Sequence, residues 1–144
     1  MPLPAASVVA LIDTGAILAI IDREDRWHPL CLDVYHRWRL PFFTTQAVLA
    51  ETFHLAKRKR LGPGSVWRLL SSGAIEMSPL TNEELPPIQA LMDEYADRPM
   101  DFADATLVYV AAKKQIGTIL TIDHDDFETY RLPGRKRFTI LPSR

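Results

Sequence analysis

Two short, unbroken apolar runs stand out in the hydrophobic pattern of this chain, and an aspartate follows each of them. The first run covers residues 8–12 and precedes Asp13; the second covers residues 119–122 and precedes Asp123. Unbroken runs rich in β-branched residues are typical of strands that are buried on both faces of a parallel sheet. We therefore predict two central strands, each with an aspartate at its carboxyl end.

Apolar residues recur at helical or strand spacing in the rest of the chain. The helical pattern predicts helices over residues 14–21, 27–40, 46–60, 65–70 and 103–114, and one that begins at Asn82. Shorter apolar stretches predict strands over residues 42–44, 74–77 and 138–141. This alternation predicts an α/β fold around a mainly parallel sheet. Ligands of such sheets bind beyond the carboxyl ends of the strands, so Asp13 and Asp123 are expected to approach each other.

Length and composition favour one folded domain over residues 1–144. Hydrophobic residues make up 47% of the chain, which is enough for a core and too much for a disordered protein. The net charge is −1, so nucleic-acid binding has to come from local patches. Cys31 is the only cysteine, which excludes an intrachain disulfide and a zinc site built from several thiolates.

Neither a secretory signal nor a membrane span is expected. The residues from Met1 to Pro4 lack the basic start of a signal peptide. No stretch reaches the roughly 18 apolar residues that a transmembrane helix needs. Together with the single cysteine, this pattern favours a soluble protein of the cytoplasm.

Three further acids lie on predicted helices among apolar neighbours. Of the four residues that lie one turn away from Glu51, three are apolar. Asp101 and Asp104 are one turn apart on the same helix face, where their charges repel each other. A carboxylate that is buried without partners is costly, so it has to gain a cation, a proton or several hydrogen-bond donors. If the fold gathers these acids, the natural partner is a divalent cation.

Each acid also has a purely structural interpretation. Asp13 and Asp101 could cap the helices that follow them. Glu51 could lie at a helix margin, and Asp123 could belong to a solvated turn of acids. Two neighbours compete with Asp123 for its place in a site, Asp125 and Asp126. One shared site, however, would explain all of these positions together.

The chemistry of such a site points to hydrolysis. Carboxylate oxygens without cysteine favour Mg²⁺ or Mn²⁺ over zinc. These cations activate water and stabilise charge on a phosphate, so phosphodiester hydrolysis would need no nucleophile from the protein. The chain lacks the phosphate loops GxxxxGK[ST] and GxGxxG and the serine-hydrolase motif GxSxG. The residues therefore favour a metal-dependent hydrolase over a passive binding domain.

The strongest basic feature follows the helix that carries Glu51. It consists of Lys57, Arg58, Lys59 and Arg60. This run either forms a solvated helix end, where cations suit the helix dipole, or contacts the phosphates of a nucleic acid. A second group of cations near the end of the chain could also contact phosphates: Arg131, Arg135, Lys136 and Arg137.

Four short motifs follow one another along nearly the whole chain. They are Leu11-Ile12-Asp13-Thr14-Gly15-Ala16, Thr45-Gln46-Ala47-Val48-Leu49-Ala50-Glu51, Met100-Asp101-Phe102-Ala103-Asp104-Ala105, and Leu120-Thr121-Ile122-Asp123 with Asp126-Phe127. Each motif alone is weakly specific, but the four in this order are specific together. They resemble PIN-domain ribonucleases, and most closely the VapC-type toxins of bacterial and archaeal toxin–antitoxin pairs.

The resemblance implies a PIN-like fold with a small parallel sheet flanked by helices on both faces, and RNA cleavage that depends on Mg²⁺ or Mn²⁺. It assigns the catalytic and metal-binding roles to Asp13, Glu51, Asp104 and Asp123. It gives supporting roles to Asp101, Thr14 and Thr121. His124 and Asp125, directly after Asp123, depart from the family pattern.

The resemblance also implies a homodimeric toxin that a cognate antitoxin holds inactive. Two other functions remain open on the sequence alone. One is an RNA-processing nuclease without an antitoxin, and the other is a catalytically silent module that binds proteins. The presence of all four family acids argues against the silent module.

Overall fold

The computed structural model describes residues 9–98 and 100–143. Its helices are α1 (Thr14–Ile21), α2 (His28–Arg37), α3 (Gln46–Arg58), α4 (Pro63–Ser71), α5 (Leu85–Glu94), α6 (Phe102–Lys114) and α7 (His124–Thr129). Its strands are β1 (Leu11–Ile12), β2 (Phe42–Thr44), β3 (Ile75–Met77), β4 (Thr118–Leu120), β5 (Arg131–Leu132), β6 (Lys136–Arg137) and β7 (Thr139–Leu141). Single 3₁₀ turns cover Asn82–Glu84 and Pro133–Arg135.

Five of the described strands form a parallel sheet in the order β3-β2-β1-β4-β7. At its centre, Leu11 lies opposite Phe43 of β2 and Ile119 of β4. The predicted α/β class is therefore confirmed, and β7 is the predicted edge strand. Because β1 and β4 are parallel neighbours, the segments that follow them leave the sheet at the same edge, which we call the carboxyl edge.

The centre of the sheet is buried on both faces. Successive strand residues point to opposite faces. Leu11 and Ile12 of β1 are both fully buried, and so are Ile119 and Leu120 of β4. Helices therefore cover both faces of the sheet, as the unbroken apolar runs predict.

Both central strands are shorter than predicted. Val8 lies outside the described residues, and β1 begins at Leu11. β4 ends at Leu120 rather than at residue 122, because the Thr121 hydroxyl accepts a hydrogen bond from the amide of Asp123 across 3.0 Å. Such a local turn takes the chain out of the extended conformation. Asp123 therefore follows the strand by three residues instead of one.

Helix α3 ends at Arg58, two residues before the predicted end. Arg60 adopts a positive φ of 60°. The amide of Leu61 bonds back to the carbonyl of Ala56 at 2.8 Å, and the amide of Arg60 bonds to the carbonyl of Lys57 at 3.1 Å. This pair of bonds is the Schellman arrangement, which closes a helix with a left-handed residue.

The remaining helices agree with the predictions apart from their ends. α2 stops at Arg37 because the backbone becomes extended at Trp38, with ψ near 160°. The helix predicted to begin at Asn82 starts there as a 3₁₀ turn and continues as α5 from Leu85. Pro86 and Pro87 occupy the first turn of α5, where proline is tolerated. The longest helices, α3 and α6, have 13 residues each. In the part of the chain that the structure describes, no helix is long and apolar enough to cross a membrane.

Two elements were not predicted from the sequence. One is α7, which directly follows Asp123 and contains both of its competitors, Asp125 and Asp126. The other is the antiparallel hairpin of β5 and β6, in which Arg131 lies opposite Arg137. Both lie between β4 and β7, and they bring Phe127 and Tyr130 into the core as fully buried side chains.

Candidate active site

Asp13 is at the carboxyl edge, where β1 continues into α1. Its amide donates a hydrogen bond to the carbonyl of Leu120 at 3.0 Å, which extends the pairing of β1 with β4 by one residue. Its side chain caps α1, because Oδ1 accepts a bond from the amide of Thr14 at 2.8 Å. Asp13 is only 7% exposed. Asp13 is thus both a helix cap and a buried acid, so the two interpretations of this residue do not exclude each other.

Thr121 connects the acids that follow β1 and β4. Its hydroxyl donates to Oδ2 of Asp13 at 3.1 Å and accepts from the amide of Asp123 at 3.0 Å. A single hydroxyl therefore holds the carboxylate of one acid and the backbone of the other. The expected approach of Asp13 and Asp123 in space follows from this contact and from the pairing of their strands.

Asp104 reaches the same edge from the first turn of α6. Asp101 caps this helix, with Oδ1 accepting from the amide of Asp104 at 2.8 Å. The Asp104 side chain is 6% exposed, whereas Asp101 is exposed. The fully buried Tyr130 donates its hydroxyl to Oδ2 of Asp104 at 2.8 Å. Tyr130 has no local signal in the sequence, because its partner lies 26 positions away.

The two buried acids have strongly raised pKa values. Burial raises the pKa of Asp13 to about 7, against the lowering effect of the bonds from Thr14 and Thr121. Burial also raises the pKa of Asp104 to about 8, and the charge of Asp13 is the second cause. The two carboxyl groups therefore interact electrostatically, although they come from helices on opposite halves of the chain.

Three more acids act on this pair. Glu51, half-buried on α3, raises the pKa of Asp13, and so does Asp123. Asp101 raises the pKa of Asp104. Each of the five acids that the sequence singles out thus interacts electrostatically with at least one of the others. We call these five residues at the carboxyl edge the acidic site from here on.

Asp126 also belongs to the surroundings of this site. The pKa of Asp123 is raised by desolvation and then by Asp126, and Asp126 raises the pKa of Asp104 as well. Asp125 acts on Asp123. Of the two competitors of Asp123, Asp126 thus influences two members of the acidic site. Arg98 approaches Asp126 to 4.0 Å and donates to the carbonyl of Asp125 at 3.1 Å, which holds α7 in place.

The acidic site does not form a compact cluster of metal ligands. Among the described residues, no three His, Cys, Asp or Glu side chains converge on a position where they could hold a metal ion. The donor set nevertheless suits a hard cation, because buried carboxylates with raised pKa values gain most from a positive charge. Mg²⁺ is commonly bound by one or two carboxylates, with water and substrate phosphate completing its shell. The buried pair Asp13 and Asp104 could supply these one or two carboxylate ligands.

Thr14 contributes its amide to the acidic site and its hydroxyl to a different contact. The hydroxyl donates to the carbonyl of Val48 in α3 at 3.2 Å, and Thr52 donates to that carbonyl at 2.7 Å. The bond from Thr14 fastens α1 to α3 one turn before Glu51, whereas the bond from Thr52 lies within α3. Thr14 therefore helps to place Glu51 beside Asp13.

His124 is involved in packing rather than exposed at the site. Its Nε2 lies 2.7 Å from the carbonyl of Pro142, and its ring lies 5.4 Å from the ring of Trp27. The side chain is 6% exposed. It connects α7 to the C-terminal segment and to the start of α2, so this departure from the family pattern leaves the acids of the site in place.

The basic run at the end of α3 divides into two parts. Lys59 lies 3.4 Å from Asp25 and 3.9 Å from Asp22, in the loop after α1. Lys57, Arg58 and Arg60 are exposed. Arg58 is seven residues after Glu51 and so shares its helix face at a separation of roughly 10 Å along the axis. Among the exposed cations of this run, Arg58 is the one aligned with the acidic site.

The cations of the second basic group lie on the β5–β6 hairpin. Arg131 donates to the carbonyls of Thr129 and Tyr130 at 3.0 and 3.1 Å, so it closes the end of α7. The other members of the group are exposed, namely Arg135, Lys136 and Arg137.

Comparisons with known proteins agree with this architecture. Ribonuclease VapC26 from Mycobacterium tuberculosis is 30% identical over 135 residues, which cover 92% of this chain and 99% of the relative. The crystal structure of Mycobacterium tuberculosis VapC20, described as a sarcin-ricin loop cleaving toxin, superposes with a TM-score of 0.71 at 21% identity, over 81% of this chain and 93% of that one. A toxin–antitoxin complex from Klebsiella pneumoniae matches with a TM-score of 0.61 at 18% identity, over 87% of this chain and 93% of the matched chain.

The structural matches are below 25% identity and show the shared fold. The sequence match covers nearly the full length of both proteins. In addition, the family model for the PIN domain matches residues 10–132, a stretch that contains all five acids of the acidic site. This chain therefore belongs to the PIN-domain family.

Proposed function

We propose that this protein is an endoribonuclease that hydrolyses RNA phosphodiester bonds with Mg²⁺ or Mn²⁺. The observation that carries the proposal is the pair of buried, interacting carboxyl groups of Asp13 and Asp104 at the carboxyl edge. Burial raises the pKa of both acids, and the charge of Asp13 raises that of Asp104 further. Such a pair is a costly arrangement for stability alone. A relative that is named a ribonuclease and matches over nearly its full length supports RNA as the substrate.

Asp13 and Asp104 would be the primary metal ligands. Glu51 and Asp123 would complete the acidic site, where each could hold a second cation or orient the attacking water. A bound Mg²⁺ or Mn²⁺ supplies charge stabilisation on the phosphate and an activated water. Asp101, as the cap of α6, fixes the helix turn from which Asp104 projects.

The protein's own groups prepare the carboxylates for this role. The Thr14 amide and the Thr121 hydroxyl each hold one oxygen of Asp13, so the plane of this carboxylate is set before substrate binds. Glu51 is placed beside Asp13 by the contacts between α1 and α3 and could accept a proton from the attacking water. Phosphate groups of the RNA on either side of the scissile bond would be held by cations, with Arg58 as the first candidate. No side-chain nucleophile is required.

We further propose that the enzyme is a homodimeric toxin that a cognate antitoxin holds inactive. One structural relative is described as a toxin and another as part of a toxin–antitoxin complex, which supports this role. Induced expression of the chain alone should then stop growth, and co-expression of a small DNA-binding protein encoded next to it should restore growth. Light scattering on the purified protein tests the dimer.

The catalytic assignment is tested with purified wild type, Asp13→Asn and Asp104→Asn on total RNA. Wild type should cleave RNA in Mg²⁺ and not in EDTA, and each variant should stay folded and lose cleavage. Asp33→Asn is the matched control, because Asp33 is an exposed acid on α2 that pairs with Arg37. It should cleave like wild type. Full cleavage by a folded Asp13 or Asp104 variant would contradict the assignment.

A different result would point to the silent module that binds proteins. If wild type and both variants cleave RNA to the same extent, the activity comes from a contaminant. Mapping the new RNA ends after induced expression then identifies the target of an authentic activity, since the fold alone does not specify an RNA sequence.

A further inference from the structure

Tyr130 is a buried polar side chain that contacts the acidic site and has no part in the function described so far. It follows α7 directly, and its amide bonds to the carbonyl of Asp126 at 3.1 Å. The side chain is fully buried, and its hydroxyl is 2.8 Å from Oδ2 of Asp104. A buried hydroxyl usually forms a hydrogen bond with some partner. Here the partner is a buried acid of the candidate active site, which suggests a functional role for the bond.

The position of the Tyr130 ring is determined by an aromatic cluster. Its centroid lies 5.1 Å from that of Tyr95 and 5.2 Å from that of Phe127, both in edge-to-face geometry. Phe127 in turn packs edge-to-face against Phe138 at 5.6 Å. Such packing restricts the ring to one orientation, so the position of the hydroxyl beside Asp104 is fixed.

The direction of the hydrogen bond is determined by chemistry. The hydroxyl of Tyr130 is the donor and Oδ2 of Asp104 is the acceptor. The bond favours the charged form of Asp104 and lowers its pKa, against the larger effects of burial and of Asp13. With Oδ2 held, the carboxylate cannot rotate freely about its bond to the β-carbon.

We propose that Tyr130 is a positioning residue that orients the Asp104 carboxylate for binding of a divalent cation. The inference rests on the proposed function in one respect, namely that Asp104 is a metal ligand. Tyr130 is fully buried, so its role would be exerted through Asp104 and not by contact with RNA. Its hydroxyl does for Asp104 what the hydroxyl of Thr121 does for Asp13, and both acids thereby present a carboxylate in a fixed plane. Partners that orient a ligand in this way commonly change metal affinity or activity by about 10- to 100-fold when they are removed.

The test compares Tyr130→Phe with Tyr95→Phe. Both variants keep the aromatic ring and remove one hydroxyl from the same cluster. The hydroxyl of Tyr95 contacts the amide of Arg131 at 3.0 Å and not an acid. Tyr95→Phe therefore controls for the loss of a hydrogen bond as such. Thermal unfolding of both variants in EDTA shows whether they remain folded.

The decisive measurement is Mn²⁺ binding to the RNA-free protein, followed by electron paramagnetic resonance of the free ion. Tyr130→Phe should bind Mn²⁺ about tenfold more weakly than wild type, whereas Tyr95→Phe should bind like wild type. In RNA cleavage, Tyr130→Phe should lower kcat and leave KM for RNA unchanged, because Tyr130 is buried and contacts no substrate. Equal Mn²⁺ affinity of Tyr130→Phe and wild type would overturn the proposal.

Two further outcomes separate this inference from the proposed function. If wild type binds Mn²⁺ but does not cleave RNA, the proposed function fails, and the binding comparison still decides the role of Tyr130.

If Tyr130→Phe does not fold, 3-fluorotyrosine at position 130 keeps the hydroxyl and reports through its fluorine resonance. That resonance should shift when Mg²⁺ is added, and the same label at position 95 should not. The absence of a shift at position 130 would again overturn the proposal.

Discussion

The hydroxyl of Thr121 donates to the carboxylate of Asp13 across 3.1 Å and joins the ends of two neighbouring strands. Thr121→Val keeps the shape of the side chain and removes this donor, together with the acceptor for the amide of Asp123. We expect a stability loss of about 1–3 kcal/mol, since buried polar groups are left without a partner. RNA cleavage should fall by roughly 10- to 100-fold. Chemical denaturation and a cleavage time course measure the two effects.

Thr121→Ser is the matched control, because it keeps the hydroxyl and removes one methyl group. It should retain most of the activity. If Thr121→Ser reduces cleavage as much as Thr121→Val does, loss of the hydrogen bond does not by itself account for the defect.

The raised pKa values of Asp13 and Asp104 predict how stability depends on pH. Both acids titrate near 3.8 when unfolded and at about 7 and about 8 when folded. Between these values the folded protein binds more protons than the unfolded one, so stability falls as pH rises from about 4 to about 8. For metal-free protein we expect a loss on the order of a few kcal/mol over that window, measured by urea unfolding in EDTA. Asp104→Asn should reduce the dependence of the unfolding free energy on pH. An unchanged pH dependence in that variant would contradict the raised pKa of Asp104.

Divalent cations should oppose this loss, because they compete with protons for the same carboxylates. Addition of Mg²⁺ should therefore raise the melting temperature more at pH 8 than at pH 5. The Asp13→Asn variant should show a smaller increase at pH 8. Equal stabilisation at both pH values, or equal stabilisation of the variant, would mean that Mg²⁺ binds elsewhere.

Gly15 is required by its contact with Ile122, which lies between Thr121 and Asp123. A β-carbon at position 15 would be 2.6 Å from Cγ1 and 2.7 Å from Cδ1 of Ile122, closer than atoms can pack. Gly15→Ala should destabilise the protein by about 1–3 kcal/mol and displace the segment that carries Asp123. Thermal unfolding and RNA cleavage check both effects.

The double variant Gly15→Ala with Ile122→Ala makes this prediction specific. Removing the two Ile122 carbons opens the space that the new methyl group needs, so the double variant should lose less stability than the sum of the single variants. Additive losses would place the clash at another residue.

Arg58 is expected to bind the RNA backbone, since it shares a helix face with Glu51. Arg58→Ala should raise KM for RNA by a few fold and leave kcat nearly unchanged. The slope of log KM against log salt should fall by about 0.7, which is the value for one phosphate contact with a single strand. Arg39→Ala is the control, because Arg39 is exposed and precedes β2, at the opposite edge of the sheet. Equal changes in both variants would reflect overall charge rather than a contact.

Local patterns in the sequence were sufficient for most of the fold. The bounds of α1 and β2 agree with the prediction to the residue, because an unbroken apolar run and a capping residue define them. α7 was missed because Asp125 and Asp126 resemble a solvated turn, whereas the helix is stabilised by Phe127, which packs into the core. The energy of a six-residue helix comes from such tertiary contacts and not from its own residue preferences.

Asp13 and Asp104 were predictable because each occupies a buried position, which is costly for a carboxylate without partners. Their partners were not. The hydroxyl of Thr14 bonds to α3 and that of Thr121 to Asp13, although both threonines occur beside strand-end acids in the sequence. In the sequence, Tyr130 cannot be distinguished from an ordinary core tyrosine. The packing of α7 brings its hydroxyl to Asp104. Contacts between distant segments leave no local pattern.

Helices α1 and α6 both begin at the acidic site, with Asp13 and Asp101 as their caps. Each helix start carries about half of a positive elementary charge. The fold thus supplies a permanent partial counter-charge at the place where its own acids accumulate. We therefore expect a newly made chain to complete its folding without a bound cation.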